Sequence, residues 1–243
     1  MPSVIDHYDN HLAPIYVWMA GGLEAAIARG RAEIEAAFPR PGPAQCAIDL
    51  GAGFGMQAIP LADIGYSVTA IDTSGTLLEV IKNRVPPTPI MTVQDDLLSF
   101  KKHLNVRPAL VICMGDTLTH LPDPQSVEQL VEDVADALIH GGTFIVSFRD
   151  YSTPLIGEKR FIPVRSDPDR ILTCFVEYED QAVTVHDILH ERNGAQWIQR
   201  VSAYRKLRLS PDWVMLVLEA KGLQVTREQG ASGMVLIVAK RSR

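Results

Sequence analysis

The chain has 243 residues, 47% of them hydrophobic, and a formal net charge of −6. That length suits one α/β domain, or one with a modest insertion, and the apolar share is enough for a sizeable core. The acid excess argues against a nucleic-acid partner, which needs a basic face for phosphates; no apolar run approaches the ~18 residues that span a membrane; and the N-terminus lacks the charged and apolar regions of a signal peptide, which predicts a cytoplasmic protein.

Residues 5–37 predict helix, within an N-terminal cap that covers 1–40. The stretch 23–37 is rich in Ala and spaces its apolar residues three and four apart. Pro39, Pro41 and Pro43 break it. Residues 46–50 form a first strand, and Gly51, Gly53 and Gly55 follow at alternate positions. A helix over about 56–65 ends at Gly65, a suitable C-cap. A second strand spans 67–72 and ends in Asp72. A short helix over 76–83 is stopped by Pro86-Pro87. A third strand, 90–93, leads into Asp95-Asp96. Residues 109–114 are an unbroken apolar run, the mark of a central parallel strand. An amphipathic helix over 126–138 closes at Gly141-Gly142, and a fifth strand covers 143–148. This alternation predicts an α/β, doubly wound, mostly parallel sheet.

The pattern changes after residue 150. Three strands, 170–178, 183–191 and 196–209, follow with no helix between them, and Asn193-Gly194 marks a hairpin. In the third, Trp197, Val201, Ala203, Leu207 and Leu209 share one parity, while Arg200, Ser202, Tyr204, Lys206 and Arg208 share the other. That pattern predicts an antiparallel insert over 151–209 with an apolar face and a wet face. Helix returns at 211–221, from Pro211 to the stop at Gly222, and strands 223–228 and 234–240 finish the chain.

The glycines let the backbone turn sharply and approach a ligand closely. A dinucleotide fingerprint would place a third glycine where Met56 stands. Asp49, at the mouth of the loop, would repel a pyrophosphate. It suits S-adenosylmethionine, which carries an ammonium and a sulfonium and no phosphate. Asp72 sits near the ~20-residue spacing at which an acid grips ribose hydroxyls.

Asp49-Leu50-Gly51-Ala52-Gly53-Phe54-Gly55 resembles motif I of the class I S-adenosylmethionine-dependent methyltransferases, small-molecule type. Ala70-Ile71-Asp72-Thr73-Ser74 resembles their next motif, and the opening from Tyr8-Asp9 to Trp18 resembles their N-terminal cap helix. The resemblance covers residues 5–150. It implies a seven-stranded Rossmann-like methyltransferase sheet whose last strand is antiparallel, in a single domain over 1–243. It further implies that Gly51, Ala52, Gly53 and Gly55 line the cofactor, with Asp49 at its ammonium. Asp72, beside Thr73, would accept both ribose hydroxyls. Asp95 or Asp96 would accept the adenine amino group, with Leu97 supplying a backbone amide. The alternative for that acid pair is an N-cap. Met114 and Gly115 would touch the methionine end, and Tyr16, with Tyr8 and Trp18, would close the pocket unless they serve only to pack the cap.

His120 is a candidate proton acceptor, since a histidine titrates near pH ~6.5; the alternative is a capping role. Arg149 and Tyr151, with Asp150, follow the fifth strand and could orient a polar acceptor, or Arg149 could form a surface ion pair. No metal site is expected. His186 and His190 lie ~13 Å apart along a strand, and His7 and His11 lack a third ligand. Cys46, Cys113 and Cys174 read as reduced, buried thiols. The methyltransferases of DNA are disfavoured, because the chain has no Pro-Cys pair and no D/N-P-P-Y/F/W tetrapeptide.

The expected activity is methyl transfer to N, O or C of a small polar molecule. The insert is expected to roof a cavity bounded by residues 114–121 and 149–151. Transfer to a protein side chain, a non-catalytic cofactor-binding module and an NAD-type oxidoreductase are the alternatives. The oligomeric state stays open.

Overall fold

A computed structural model describes residues 4–42, 45–84 and 89–242. Pro43, Pro86, Pro87 and Arg243 fall outside the described residues, so the helix stop expected at Pro86-Pro87 does too.

The main sheet has seven strands. β1 (Cys46–Leu50), β2 (Ser67–Asp72), β3 (Ile90–Gln94), β4 (Leu110–Cys113) and β5 (Thr143–Phe148) are parallel, and β10 (Leu223–Gln229) and β11 (Val235–Arg241) complete it in the order β10-β11-β5-β4-β1-β2-β3. β11 runs antiparallel to both β5 and β10. β4 and β5 are buried along their whole length, as expected of strands covered on both faces. Side-chain alternation divides the core. Ile48, Leu50, Val111 and Val146 pack with Val127, Leu130, Val134 and Leu218 from α6 (Pro124–Ala137) and α7 (Pro211–Ala220). Ala47, Leu110, Ile112 and Ile145 pack on the other face with Ile34, Leu61 and Leu78 from α3 (Leu23–Ala37), α4 (Ala58–Asp63) and α5 (Gly75–Lys82). Burial of these two layers supplies the main drive to fold.

The cap is not the single helix expected over 5–37. α1 (Val4–His7) runs through a π-helical turn, Tyr8–Leu12, into α2 (Ala13–Met19). The chain then breaks at Gly21 and Gly22, whose φ values of 92° and 97° only glycine adopts readily, before α3 begins.

The insert is a four-stranded antiparallel sheet rather than three strands: β6 (Phe161–Ser166), β7 (Arg170–Tyr178), β8 (Ala182–Asn193) and β9 (Gln196–Leu207), in that order. β6 escaped the sequence pattern because Pro163 sits inside it, at an edge strand whose register shifts between Pro163 and Arg165. The faces of β9 also differ from expectation. Trp197 and Val201, from the apolar parity, are 44% and 55% exposed, whereas Tyr204 and Lys206, from the polar parity, are 5% and 7% exposed. The polar side turns inward because it finds hydrogen-bonding and charged partners there, which lifts the cost of burial.

Candidate functional site

β1 and β4 are neighbours at the point where the strand order reverses, and the crevice at the carboxyl ends there is where α/β sheets bind ligands. The glycine loop leaves β1 at that edge. Gly51 and Ala52 donate their backbone N–H to Ile71 O at 2.8 and 3.0 Å, which ties the loop to the end of β2. Asp72 accepts from Gly53 N at 2.7 Å and from Ser74 N at 2.8 Å, one bond to each carboxylate oxygen. Burial raises the Asp72 pKa, and those two backbone bonds oppose the rise. Each oxygen keeps a lone pair for a further donor.

Asp49 is 1% exposed, and its Oδ2 meets no hydrogen-bond partner. Burial, reinforced by the charge of Asp72, pushes its pKa up to about 8. An orphaned, buried acid oxygen beneath a glycine loop fits a ligand that brings a cationic donor. The glycines divide by role. A Cβ on Gly51 would lie 2.3 Å from Thr117 Cγ2, and one on Gly55 2.8 Å from Ile81 Cγ1, so these two permit close packing. A Cβ on Gly53 would meet nothing nearer than Leu77 at 4.0 Å, and one on Gly115 nothing within 4 Å. Both of these border a cavity of about 630 Å³.

Tyr8 and Tyr16 of the cap, residues 51–54 of the glycine loop, Met114–Thr117 after β4, and Arg149 and Tyr151 after β5 line that cavity. The insert closes it with Cys174, Val176, Val185, Asp187, Tyr204 and Lys206. Of the two loops expected to bound an acceptor pocket, residues 114–117, Arg149 and Tyr151 line this cavity, and residues 118–121 and Asp150 do not. Asp49, Gly55, Asp72, Thr73, Asp95, Asp96, Leu97 and His120 do not line it. Asp72 and Thr73 end β2, and Asp95, Asp96 and Leu97 follow β3 on the same edge of the sheet. Both acids there already have partners. Asp96 caps the 3-10 turn Leu97–His103 by accepting from Leu98 N at 2.8 Å. Asp95 pairs with His103 at 2.8 Å, and that bond holds its pKa below the usual carboxylate range.

His120 lies off the cavity lining. It is enclosed, with Tyr8 Oη 3.1 Å from its Nε2, the Tyr204 ring stacked at 5.4 Å, and Nδ1 without a partner. Burial, then the nearby Lys206 charge, lowers its pKa to about 3, so the ring is neutral near pH 7. Burial likewise raises Tyr8 well above the ordinary phenol value and holds Tyr151 at about 12. Arg149 meets Asp116, Nε to Oδ2 at 3.5 Å, and its own backbone N donates to Asp116 Oδ1 at 2.8 Å. Trp18 stays outside the cavity. It donates from Nε1 to Asp167 Oδ2 at 2.5 Å and lies between Arg165 and Arg170, which joins cap to insert.

Asp116, Asp187 and Lys206 were not singled out from the sequence. Lys206 Nζ donates to Asp116 Oδ2 at 2.7 Å. Burial opposes charge on both, but their mutual attraction wins: the Lys206 pKa is raised and that of Asp116 lowered. Asp187 accepts from Cys174 Sγ at 2.8 Å and from His7 Nε2 at 2.9 Å. A lone acid among Val183, Val185, Ile188 and Leu189 was the available signal, since such a charge needs a partner inside. Among the described residues no group of three or more His, Cys, Asp and Glu side chains could hold a metal ion. None of their helices is long and apolar enough to cross a membrane.

Residues 47–142 match the family described as a methyltransferase domain. Among curated proteins, the chain is 27% identical over 150 residues to the glycine/sarcosine N-methyltransferase of Aphanothece halophytica. That match covers 60% of this chain and 57% of the relative, so the chain spans a little over half of that protein's length. Among solved structures, the CcbJ methyltransferase of Streptomyces caelestis superposes with a TM-score of 0.77 at 20% identity, over 97% of this chain and 98% of that one. The glycopeptide N-methyltransferase MtfA, crystallised with S-adenosyl-L-methionine, gives a TM-score of 0.57 at 23% identity, over 89% and 87%. The chain has the class I methyltransferase fold, with a seven-stranded, mostly parallel sheet.

Proposed function

We propose that this chain transfers the methyl group of S-adenosylmethionine to a nitrogen of a small polar molecule. The observation that carries the reading is the cavity, which continues from the glycine loop into a chamber walled by the cap, by residues 114–117, 149 and 151, and by the insert. Both the Aphanothece relative and MtfA are named as N-methyltransferases, which favours nitrogen over oxygen or carbon.

The bound cofactor supplies an electrophilic methyl on a sulfonium. Asp72 would hold the ribose with its spare lone pairs, and Asp49, behind the glycine loop, would balance the ammonium. Gly51, Ala52 and Gly53, with Met114 and Gly115, let backbone pass close to the methionine portion. Thr73 and the acids Asp95 and Asp96, with the Leu97 amide, border the adenosine end. Tyr8, Tyr16 and Tyr151 exclude water. The neutral His120 orients Tyr8 rather than taking a proton, so rate comes from placing the nucleophile in line in a water-poor space. Arg149 and Tyr151 orient the acceptor. The cap and insert are read as parts of one domain that closes over the site.

Transfer to a protein side chain is second, because the insert walls the chamber that such a chain would have to enter. The acid excess favours no nucleic-acid partner, and free thiols at Cys46, Cys113 and Cys174 suit the reducing cytoplasm. Calorimetric titration tests the cofactor: S-adenosylmethionine and S-adenosylhomocysteine bind at micromolar-class concentrations and NAD does not. Binding of NAD with no response to either sulfur compound overturns the reading.

A further inference from the structure

Lys206 is an unusual residue to find inside a chamber of this kind. It stands one residue before the end of β9, its side chain is 7% exposed, and it lines the cavity. An ammonium has three N–H donors. One goes to Asp116 Oδ2 at 2.7 Å, and among the described residues no other acceptor meets Nζ. The rings of Tyr151 and Tyr204 flank the nitrogen, with centroids at 5.9 and 5.4 Å. They accommodate a cation without satisfying its donors.

Asp116, by contrast, is supplied in excess. It accepts from Lys206, from the Arg149 backbone N–H at 2.8 Å, and stands 3.5 Å from Arg149 Nε. Two cations thus meet at one carboxylate, and although the charge of Asp187 also acts on Lys206, two ammonium donors stay unfilled beside the loop of Gly115, where the space is open. Burying an ammonium is costly unless its hydrogen bonds are made. Asp187 lies on the same face, since its partner Ser202 is four residues from Lys206 along β9, roughly 13 Å by strand rise. Its oxygens already accept from His7 and Cys174. The other charged lining residues, Arg29 and Glu33 of α3 and Glu228 of β10, meet neither Lys206 nor Asp116.

We infer that the acceptor molecule carries an anionic oxygen group, a carboxylate or a phosphate, and that Lys206 is its anchor, with Arg149 beside it. The inference rests on the methyl-transfer reading for the site's purpose. The anion would take the donors that Asp116 leaves unfilled, and the tyrosines would hold the ammonium in place between them.

The test uses the full chain loaded with S-adenosylhomocysteine, titrated with sodium acetate and, separately, with inorganic phosphate. Chloride holds ionic strength constant, and the lysine side-chain nitrogens are followed by nuclear magnetic resonance. The Lys206 Nζ resonance, identified by its loss in Lys206→Arg, should shift saturably with one of the two anions, and which one tells carboxylate from phosphate. The paired variant Lys206→Met with Asp116→Asn leaves the local net charge unchanged. Both variants lack the Lys206 resonance, so their anion binding is read by calorimetric titration: the paired variant should bind that anion at least about tenfold more weakly, while Lys206→Arg retains it. The parent measurement stands even if the paired variant fails to fold. Absence of a saturable shift for both anions overturns the inference, as does undiminished binding in the paired variant. Failure to bind S-adenosylhomocysteine at all would instead overturn the methyl-transfer reading, so the two failures are distinct.

Discussion

His7 of the cap donates from Nε2 to Asp187 Oδ2 at 2.9 Å, a bond between residues 180 apart in sequence with both side chains almost wholly buried. The Nδ1 of the same ring lies 2.7 Å from Ser202 Oγ, and Ser202 faces Asp187 across the β8–β9 ladder. One imidazole therefore pins the cap to two strands of the insert. Tyr8, which follows directly, reaches the cavity from that anchor. His7→Ala leaves Asp187 short of a donor, at a cost of about 1–3 kcal/mol. The loss should be local, because the main sheet does not depend on this contact. Amide hydrogen exchange over residues 4–19 should quicken by about tenfold or more, with β4 and β5 unchanged. Unaltered protection in the cap would refute the pinning role.

Gly51 and Gly115 both have positive φ, 76° and 72°, but different surroundings. Alanine at either position bears the left-handed strain of roughly 1–2 kcal/mol. At Gly51 it also drives a methyl to within 2.3 Å of Thr117, whereas at Gly115 the space is open. Thermal unfolding should show Gly51→Ala to be the more damaging by several degrees. Thr117→Ser, which removes the clashing Cγ2, should recover part of that difference. Equal melting points for the two alanine variants would contradict the geometry.

Asp72→Ala removes two internal bonds, to Gly53 N and Ser74 N, together with the proposed ribose contacts. Hydrogen bonds to a charged group contribute about 1.5–3 kcal/mol each. Affinity for S-adenosylhomocysteine should fall at least about tenfold, measured by calorimetry at a temperature where circular dichroism shows the variant folded. Binding equal to the parent's would remove Asp72 from the site.

Much of the fold was legible because the relevant signals are local. Asp49, the alternate glycines and Asp72 lie within one βαβ unit, and strand boundaries around them follow hydrophobic runs and turn residues. The insert was less legible for a physical reason. In part of β9 the usual rule, apolar in and polar out, is reversed: Tyr204 and Lys206 are buried and Val201 is exposed, although Leu207 is buried as the rule expects. Their partners, Asp116 and His120, come from the loop after β4, far away in sequence, so periodicity carries no trace of the pairing. The surroundings of His120 were hidden for the same reason. Its titration depends on enclosure by Tyr8, Tyr204 and Lys206, three residues drawn from the cap and the insert. Where Asp95 and Asp96 are concerned, sequence left an N-cap open as an alternative, and Asp96 does form one.

The pKa of His120 falls from 6.5 to about 3 in the folded chain. Between those values the unfolded chain binds a proton that the folded chain does not. The contribution to stability is full above pH 6.5 and is lost as pH falls toward 3, at up to about 1.4 kcal/mol per pH unit. His11, also lowered mainly by burial, acts in the same direction. His120→Phe keeps a ring against Tyr204 and removes one titration. Urea unfolding at pH 8 and pH 5 should show a smaller loss on acidification in the variant than in the parent. Equal losses would mean that His120 titrates normally.

Asp49 supplies the opposite sign. Its folded pKa is about 8 against an ordinary 3.8, so between those values the folded chain holds a proton that the unfolded chain releases, and stability from this group is full below 3.8 and lost as pH rises to about 8. Near pH 7 the acid is mostly neutral until a cation arrives. If the cofactor's ammonium meets the orphaned Oδ2, binding ionises Asp49 and releases close to one proton, by about 0.9 of an equivalent for a group one unit below its pKa. Calorimetry of S-adenosylhomocysteine binding in phosphate and in Tris, whose ionisation enthalpies differ, reads that number directly. The parent should release protons at pH 7. Asp49→Asn keeps the shape, cannot ionise, and should bind more weakly with no release from this site. Asp72→Asn offers the control. Removing that charge lowers the Asp49 pKa, since Asp72 is its second cause after burial, and should reduce the release at pH 7 without abolishing it. A parent that binds with no proton exchange at pH 7 would show that Asp49 does not face the ammonium, and would leave its orphaned oxygen to a water molecule instead.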